Sequence, residues 1–232
     1  MSHPLNIFFD HVYIINLVNR PDRKVKIQER LNKLGIVAEF YTAVEYPWAN
    51  QLLMYMAHDN DIRFKNAGEF SCMSSHYACI YNAKINGYKS ILILEDDTEF
   101  LKNFNDIIQS YINALPGDYD LAYFTCNIWK MDERNDWAVE PFWRKACHCN
   151  AAASYAVHSK FYDKILNGLD ERIDIIDVFY MKLQHDTNNK IYFAVPNLTR
   201  QGFTYSDLIK SSTDYWHENI LSYNGKKPHD YE

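Results

Sequence analysis

The sequence has little glycine and no long uninterrupted hydrophobic run. Only 7 of its 232 residues are glycine and none of them cluster, so the glycine-rich loop that cradles a triphosphate in many nucleotidyltransferases is missing. No window reaches the roughly 18 consecutive apolar residues of a membrane span. The N-terminus lacks the basic and apolar regions of a secretory signal. We therefore expect a cytoplasmic protein with no integral membrane segment.

A basic excess is also missing. The formal net charge is -6, which argues against a nucleic-acid partner, because proteins that track phosphates carry a clear positive surplus. The five cysteines are odd in number and scattered, which is typical of free thiols in a reducing compartment. Cys147 and Cys149 lack the second ligand pair of a tetrahedral zinc site.

Apolar runs and amphipathic segments alternate along the chain. Strand-like runs occupy 12–17, 37–44, 91–94, 121–126 and 190–195, and helical periodicity falls at 25–34, 70–83, 104–115, 160–169 and 173–183. This alternation predicts an α/β fold with a mostly parallel central sheet flanked by helices. We expect one domain over residues 1–210, followed by a surface tail over 211–232.

Three consecutive acids, Glu95, Asp96 and Asp97, end one predicted buried strand. Ligands bind beyond the carboxyl ends of strands in open parallel sheets. Adjacent carboxylates there repel each other, raise each other's pKa or bind a cation, and hard oxygen ligands suit Mg²⁺ or Mn²⁺. The alternative is a solvated turn that caps the helix beginning near Phe104.

Two arginines, Arg20 and Arg23, follow the first predicted strand at the start of a helix. Guanidinium groups and helix N-terminal amides together bind diphosphates, although a solvated helix face explains the same pattern. An anion site and a cation site at one sheet edge indicate a nucleotide-diphosphate pocket, in which a cation stabilises the departing diphosphate.

Several motifs stand in an order that resembles glycosyltransferase family 25. They are VYIINLVNRPDR at 12–23, AV at 43–44, GEFSCMSSH at 68–76, LEDD at 94–97, IDIIDV at 173–178, and then Pro196, Gln201 and Ser206-Asp207. The family contains bacterial lipooligosaccharide galactosyltransferases and collagen hydroxylysine galactosyltransferases. The resemblance implies a GT-A-type nucleotide-sugar fold, a UDP-sugar donor, a divalent cation that is usually Mn²⁺, and inversion at the anomeric carbon.

The resemblance also implies roles for individual residues. Asp97 and Glu95 are the expected metal ligands, with Glu95 alternatively on the ribose, while Asp96 makes supporting hydrogen bonds because neighbouring strand residues face opposite ways. His76 either supports the donor or is a satisfied structural residue. The full set expected to bind the donor is Asn16, Arg20, Arg23, Glu69, His76, Glu95 and Gln201.

Two further acids, Asp174 and Asp177, are three residues apart and share a face if both lie on one helix. One of them is the expected general base, and we favour Asp177; the alternative for Asp174 is a helix cap paired with Arg172. Trp129 and Trp143 form either an acceptor platform or ordinary loop packing.

These observations predict a metal-dependent, inverting transferase. It would transfer a hexose from a UDP-sugar, with galactose as the first candidate. The acceptor would be a hydroxyl group of a glycan, or of a glycosylated or hydroxylated molecule. Lipopolysaccharide biosynthesis is one setting that the resemblance implies. The alternatives are a catalytically silent carbohydrate- or nucleotide-sugar-binding protein and a sugar-phosphate nucleotidyltransferase, and the scarcity of glycine weighs against the latter.

Overall fold

Eight strands form the central sheet. The computed structural model describes residues 2–45, 64, 66–128, 138–140, 142–171, 174–202, 205–206, 211–212 and 230–232. In spatial order the strands are β2 (Glu39–Thr42), β1 (His11–Asn16), β3 (Ser90–Glu95), β10 (Ser154–His158), β5 (Leu121–Tyr123), β11 (Ile191–Ala194), β8 (Trp143–Lys145) and β7 (Ala138–Glu140).

Short strands make three further pairs outside the central sheet. They are β4 (Thr98–Phe100) with β12 (Thr199–Gln201), β6 (Asn127–Ile128) with β9 (Cys149–Asn150), and β13 (Tyr205–Ser206) with β14 (Ser211–Ser212). The helices of the described ranges are α1 (Pro4–Phe8), α2 (Pro21–Leu34), α3 (Ala67–Ile85), α4 (Phe104–Ala114), α5 (Tyr162–Glu171) and α6 (Ile176–Leu183). None of these helices is long and apolar enough to cross a membrane.

The predicted α/β fold with a helix-flanked central sheet is confirmed, but the sheet is mixed rather than mostly parallel. Strand β1 pairs in parallel with β2 and β3, and β5 pairs in parallel with β11. The β3–β10, β10–β5, β11–β8 and β8–β7 pairs are antiparallel. Parallel pairing needs a long crossover, usually a helix, and no described helix lies between β5 and β10.

Both faces of the sheet are buried. Along β3, Ile91 and Ile93 belong to one apolar cluster, and Leu92 and Leu94 belong to the other. This alternation follows from the two-residue period of a strand. Because helices cover both faces, the strand is apolar from Ile91 to Leu94, and the first charged side chains emerge at its carboxyl end.

Helix α2 follows the first strand as the sequence indicates. Pro21 occupies the first turn, and Gly35 ends the helix in the left-handed region at φ 79°, a conformation that favours glycine. Ile27 and Leu31 are buried as predicted, but Val25 is 57% exposed. The buried position in the first turn belongs to Arg23 instead.

The described end of the predicted surface tail contacts the rest of the domain. Phe100 and Glu232 exchange backbone hydrogen bonds of 2.9 Å each, and Tyr231 is 6% exposed. The Arg200 guanidinium stacks over the Tyr231 ring at 5.3 Å. This segment therefore packs beside β4, close to the acidic end of β3. Residues 213–229 lie outside the described ranges, as do Trp129, Arg172 and Asp207.

Candidate active site

A cavity of about 480 Å³ opens at the carboxyl ends of β1 and β3. Its described lining comes from both strands, from the segment after β2, from the first turns of α3 and from β12. These residues are Ile15, Leu17, Asn19, Arg23, Ala43, Val44, Glu45, Ala67, Gly68, Ser71, Cys72, Ser75, His76, Glu95, Asp96, Asp97 and Gln201. The acidic end of the strand thus faces a ligand-sized space, as the sequence indicates.

Arg23 compensates the charge of the acidic residues. Its Nη1 donates to Asp96 Oδ1 at 2.9 Å and lies 3.2 Å from Asp97 Oδ2. Asn16 Nδ2 donates to the other Asp96 oxygen at 2.7 Å. Both Asp96 oxygens are therefore occupied by protein donors, which confirms the supporting role expected for this residue.

The carboxyl groups of Glu95 and Asp97 are less fully compensated by protein donors than that of Asp96. Burial raises the pKa of each carboxyl to about 7; the Asp96 charge adds to this effect at Glu95 and the Glu95 charge adds to it at Asp97, while Arg23 opposes both. Gln201 Nε2 lies 3.3 Å from Glu95 Oε2 and 3.4 Å from Asp97 Oδ2, so the two carboxylates converge on one amide. Asp97 Oδ1 is buried and has no hydrogen-bond partner among the described residues. A divalent cation fits this donor set, because it satisfies the remaining oxygen and holds both groups ionised.

His76 is a buried neutral residue. Burial lowers its pKa to about 4, and only 1% of the residue is exposed. Its Nδ1 lies 2.8 Å from Tyr155 Oη, and Tyr180 donates its hydroxyl to the same oxygen at 3.0 Å. These contacts turn Nε2 toward Glu95 Oε1 at 3.4 Å. The structural and the donor-side interpretations of His76 are thus compatible.

Asp177 lies in the first turn of α6 beside the same strand end. Its Oδ1 accepts the Ala152 amide at 2.7 Å, and the neighbouring Ala153 carbonyl accepts the Glu95 amide at 2.8 Å. Burial, with a smaller effect of the Glu95 charge, raises the pKa of Asp177 to about 6. A carboxylate with a pKa close to neutral pH suits a general base.

Asp174 occupies a different environment. The expectation that both acids share a helical face is wrong, because α6 begins at Ile176 and Asp174 precedes it. Asp174 is 1% exposed and pairs with Lys182, and one of its oxygens accepts the Ile175 amide at 3.0 Å. This geometry fits a structural ion pair that anchors α6 rather than a base.

Three residues expected to bind the donor lie apart from the described cavity lining. Asn16 holds Asp96 instead, and the other two are Arg20 and Glu69. Arg20 donates from Nε and Nη2 to Asp22, with both distances 2.9 Å, and these hydrogen bonds lower the pKa of Asp22 to about 2. Glu69 lies in the first turn of α3, where its amide donates to Asn66 Oδ1 at 3.0 Å. Neither side chain lines the cavity.

Comparison with known proteins identifies the family. The description "Glycosyltransferase family 25 (LPS biosynthesis protein)" matches residues 9–164, well over half of the chain. The chain belongs to glycosyltransferase family 25. The match covers Asn16, Arg23, His76 and the acidic strand end.

Curated members of family 25 match over about half of the chain. A "Glycosyltransferase 25 family member" of Drosophila melanogaster is 29% identical over 145 residues, covering 56% of this chain and 23% of the relative. "Procollagen galactosyltransferase 1" of Danio rerio is 30% identical over 128 residues, covering 50% and 21%. The chain therefore spans less than a quarter of the length of these relatives.

Two other comparisons are with a human relative and with a solved structure. The human "Inactive glycosyltransferase 25 family member 3" is 27% identical over 134 residues, covering 53% of this chain and 22% of the relative, so membership alone does not decide activity. A crystal structure of a glycosyltransferase involved in the glycosylation of the major capsid of PBCV-1 has a TM-score of 0.39 and 14% identity, covering 70% of this chain and 67% of that one.

Some residues of this family 25 site were not foreseen from the sequence. Tyr155 and Tyr180 orient His76 from β10 and α6, and Gly68 places the N-terminus of α3 at the cavity. Cys72 also lines the cavity. Its spacing of four residues from His76 on a predicted helix was the available signal, because such residues share a face.

Removing the positive charge of Arg23 tests whether this residue compensates the buried carboxylates at the end of β3. We expect Arg23→Met to lower the free energy of unfolding by about 3–5 kcal/mol, because it leaves buried carboxylates without their counter-charge. The control is Lys33→Met on the same helix, whose exposed ion pair with Glu232 contributes about 0–1 kcal/mol. Urea unfolding at neutral pH measures both variants, and equal small losses contradict the role of Arg23.

Proposed function

We propose that the protein is a metal-dependent hexosyltransferase that uses a UDP-sugar donor. The observation that carries this proposal is the convergence of Glu95 and Asp97 at the cavity, with one Asp97 oxygen buried and unpaired among the described residues. Membership of glycosyltransferase family 25 supports the same reaction class. The residues proposed for donor binding lie at the carboxyl ends of β1 and β3, and Asp177 lies beside them in the first turn of α6, outside the described cavity lining.

The donor side of the cavity suits a nucleotide diphosphate. Asp97 and Glu95 would hold the cation, for which Mn²⁺ is proposed with Mg²⁺ as the alternative hard ion. When bound, the cation neutralises charge on the departing diphosphate. The first turn of α3, through Ala67 and Gly68, lines the same cavity, and helix N-terminal amides favour phosphate oxygens. Gln201 spans the two carboxylates and keeps them on the cavity side.

Asp177 is the proposed base. An inverting transfer needs a group that removes the proton of the acceptor hydroxyl as the new glycosidic bond forms, which contributes about 10²–10⁴-fold to the rate. Asp177 keeps one oxygen on the Ala152 amide, so this hydrogen bond fixes the side chain while the second oxygen takes the proton. Its pKa of about 6 leaves it mostly ionised at neutral pH.

Galactose is the proposed sugar. The relative from Danio rerio is named a procollagen galactosyltransferase, and the family description refers to LPS biosynthesis. A sugar hydroxyl or a hydroxylated side chain is therefore the proposed acceptor group. Loops around a fixed donor site set acceptor choice on such folds.

A panel of UDP-sugars with and without Mn²⁺ tests the function. We expect thermal stabilisation that requires both UDP and Mn²⁺, worth about 2.7 kcal/mol when the ligand is at 100 times its Kd, and fastest UDP release from UDP-galactose. Binding without any UDP release, even with acceptors present, indicates a silent protein like the inactive human relative. Stabilisation by nucleoside triphosphates alone contradicts the transferase proposal.

A further inference from the structure

We propose that Cys72, His76 and Glu95 form a second cation site, which binds a thiophilic divalent ion such as Zn²⁺. This site differs from the oxygen-ligand site at Asp97 in its sulfur and nitrogen donors. It shares only Glu95 with that site. Its existence does not depend on the proposed transferase activity, because cation binding by these three side chains needs no sugar donor.

The three ligand atoms already lie together. Cys72 Sγ, a ring nitrogen of His76 and a carboxylate oxygen of Glu95 are all within 4.8 Å of one another. Cys72 and His76 are four residues apart on α3, so they share one face of the helix. Glu95 approaches from the end of β3, and all three residues line the cavity. A cation at their centre is therefore reachable from solvent.

His76 is held in the orientation that a ligand needs. Metal-binding histidines commonly fix the ring through a hydrogen bond from the second nitrogen. Here Tyr155 Oη lies 2.8 Å from Nδ1, and Tyr180 donates to that hydroxyl. Nε2 then faces Glu95 Oε1 at 3.4 Å, which is the side on which the cation would lie. This aromatic support is an observation independent of the cysteine spacing.

The donor set selects the ion. Three protein ligands of sulfur, nitrogen and oxygen leave a fourth tetrahedral position open toward the cavity, as in zinc sites that exchange water or substrate. Thiolate and imidazole favour Zn²⁺ over Mn²⁺, which prefers oxygen ligands. On binding, the Cys72 thiol releases its proton to solvent and the thiolate forms the bond to the metal. No oxidation or reduction takes place.

Because both cation sites use Glu95, an ion in one site affects the other. This consequence for transfer rests on the proposed function. Zn²⁺ bound to Cys72, His76 and Glu95 withdraws Glu95 from the cation at Asp97, and it occupies space in the same cavity. Zn²⁺ therefore inhibits Mn²⁺-dependent transfer. We expect the inhibition in the wild type to weaken by at least about 10-fold in Cys72→Ser, since losing even a residue that only supports a ligand lowers metal affinity about 10–100-fold.

Cobalt titration tests the site without any measurement of activity. Co²⁺ is added to the purified full chain, and we expect a near-ultraviolet sulfur-to-cobalt absorption band that saturates at one ion per chain and disappears when Zn²⁺ is added. Cys72→Ser should abolish the band, whereas Cys147→Ser, on another part of the chain, and Asp97→Asn should retain it. Thermal unfolding checks that each variant is folded.

Each outcome of the titration decides the proposal. Absence of the band in the wild type, or an undiminished band in Cys72→Ser, overturns the proposal. Loss of the band in Asp97→Asn also overturns it, because the ion then depends on the oxygen site. If UDP-sugars neither bind nor react while the band behaves as expected, the transferase proposal fails and the thiolate site stands.

Discussion

Replacing Asp177 with asparagine is expected to slow transfer by about 10²–10⁴-fold, the usual contribution of a general base. Asparagine keeps the side-chain oxygen that accepts the Ala152 amide at 2.7 Å, so the local geometry is retained and only the basicity is lost. The affinities for UDP and Mn²⁺ should stay unchanged, because the cation ligands lie on β3 and the residues that follow it. Steady-state transfer and calorimetric titration measure the two effects separately.

The matched control is Asp174→Asn. It removes an acidic charge three residues away, where the carboxylate pairs with Lys182. We expect this variant to lose stability while each folded molecule keeps its transfer rate. If Asp177→Asn transfers sugar at the wild-type rate, or if both variants lose the transfer rate equally, the assignment of Asp177 as the base is contradicted.

The Asp177 variant also has a stability signature of known sign. Burial raises the pKa of Asp177 to about 6 from the ordinary value of 3.8, so the folded chain holds a proton in the pH range where the unfolded chain releases it. Ionised Asp177 therefore opposes folding above pH 6. Asp177→Asn should increase the free energy of unfolding by on the order of 1–3 kcal/mol at neutral pH, and this gain should fade as the pH falls from about 6 to about 4.

Replacing Asp97 with asparagine is expected to abolish cation-dependent binding of the donor. The substitution removes a charge from the group whose Oδ1 is buried and unpaired among the described residues, and a neutral amide is a much weaker ligand for Mn²⁺. We expect Mn²⁺ affinity to fall by at least about 100-fold, the upper range for loss of a supporting residue alone. Transfer should fall with it.

The control for Asp97 is Glu99→Gln on β4. Glu99 pairs with Arg30 at 3.1 Å and also with Arg200, and it does not line the cavity. This variant should lose stability but keep the thermal shift that Mn²⁺ and UDP produce together. If Asp97→Asn retains that shift in full, the cation site lies elsewhere.

The sequence predicted the location of the site because local patterns determine it. An apolar strand that is buried on both faces ends at Glu95, and the charged residues there have no room in the core. The same reasoning could not show which of Arg20 and Arg23 contacts the acidic residues. Both follow the first strand, but only Arg23 faces the sheet, and that direction depends on how α2 packs.

Long-range pairing explains what the sequence did not reveal. Strand β10 inserts antiparallel between β3 and β5, which brings Tyr155 to His76 and Ala152 to Asp177. Neither contact has a local signature, because each joins segments whose relation is set by sheet order. The start of α6 at Ile176 likewise separates Asp174 from Asp177 in a way that spacing alone does not show.

The polar residues of the cavity come from distant parts of the chain. Asn16 and Asp96 are 80 residues apart in sequence, and Asp97 and Gln201 are 104 apart. A nascent chain therefore cannot assemble the complete pocket until Gln201 has left the ribosome. Any ligand that binds only the assembled pocket favours the folded domain as a whole, so a ligand of this cavity would stabilise newly made protein only after Gln201 has joined it.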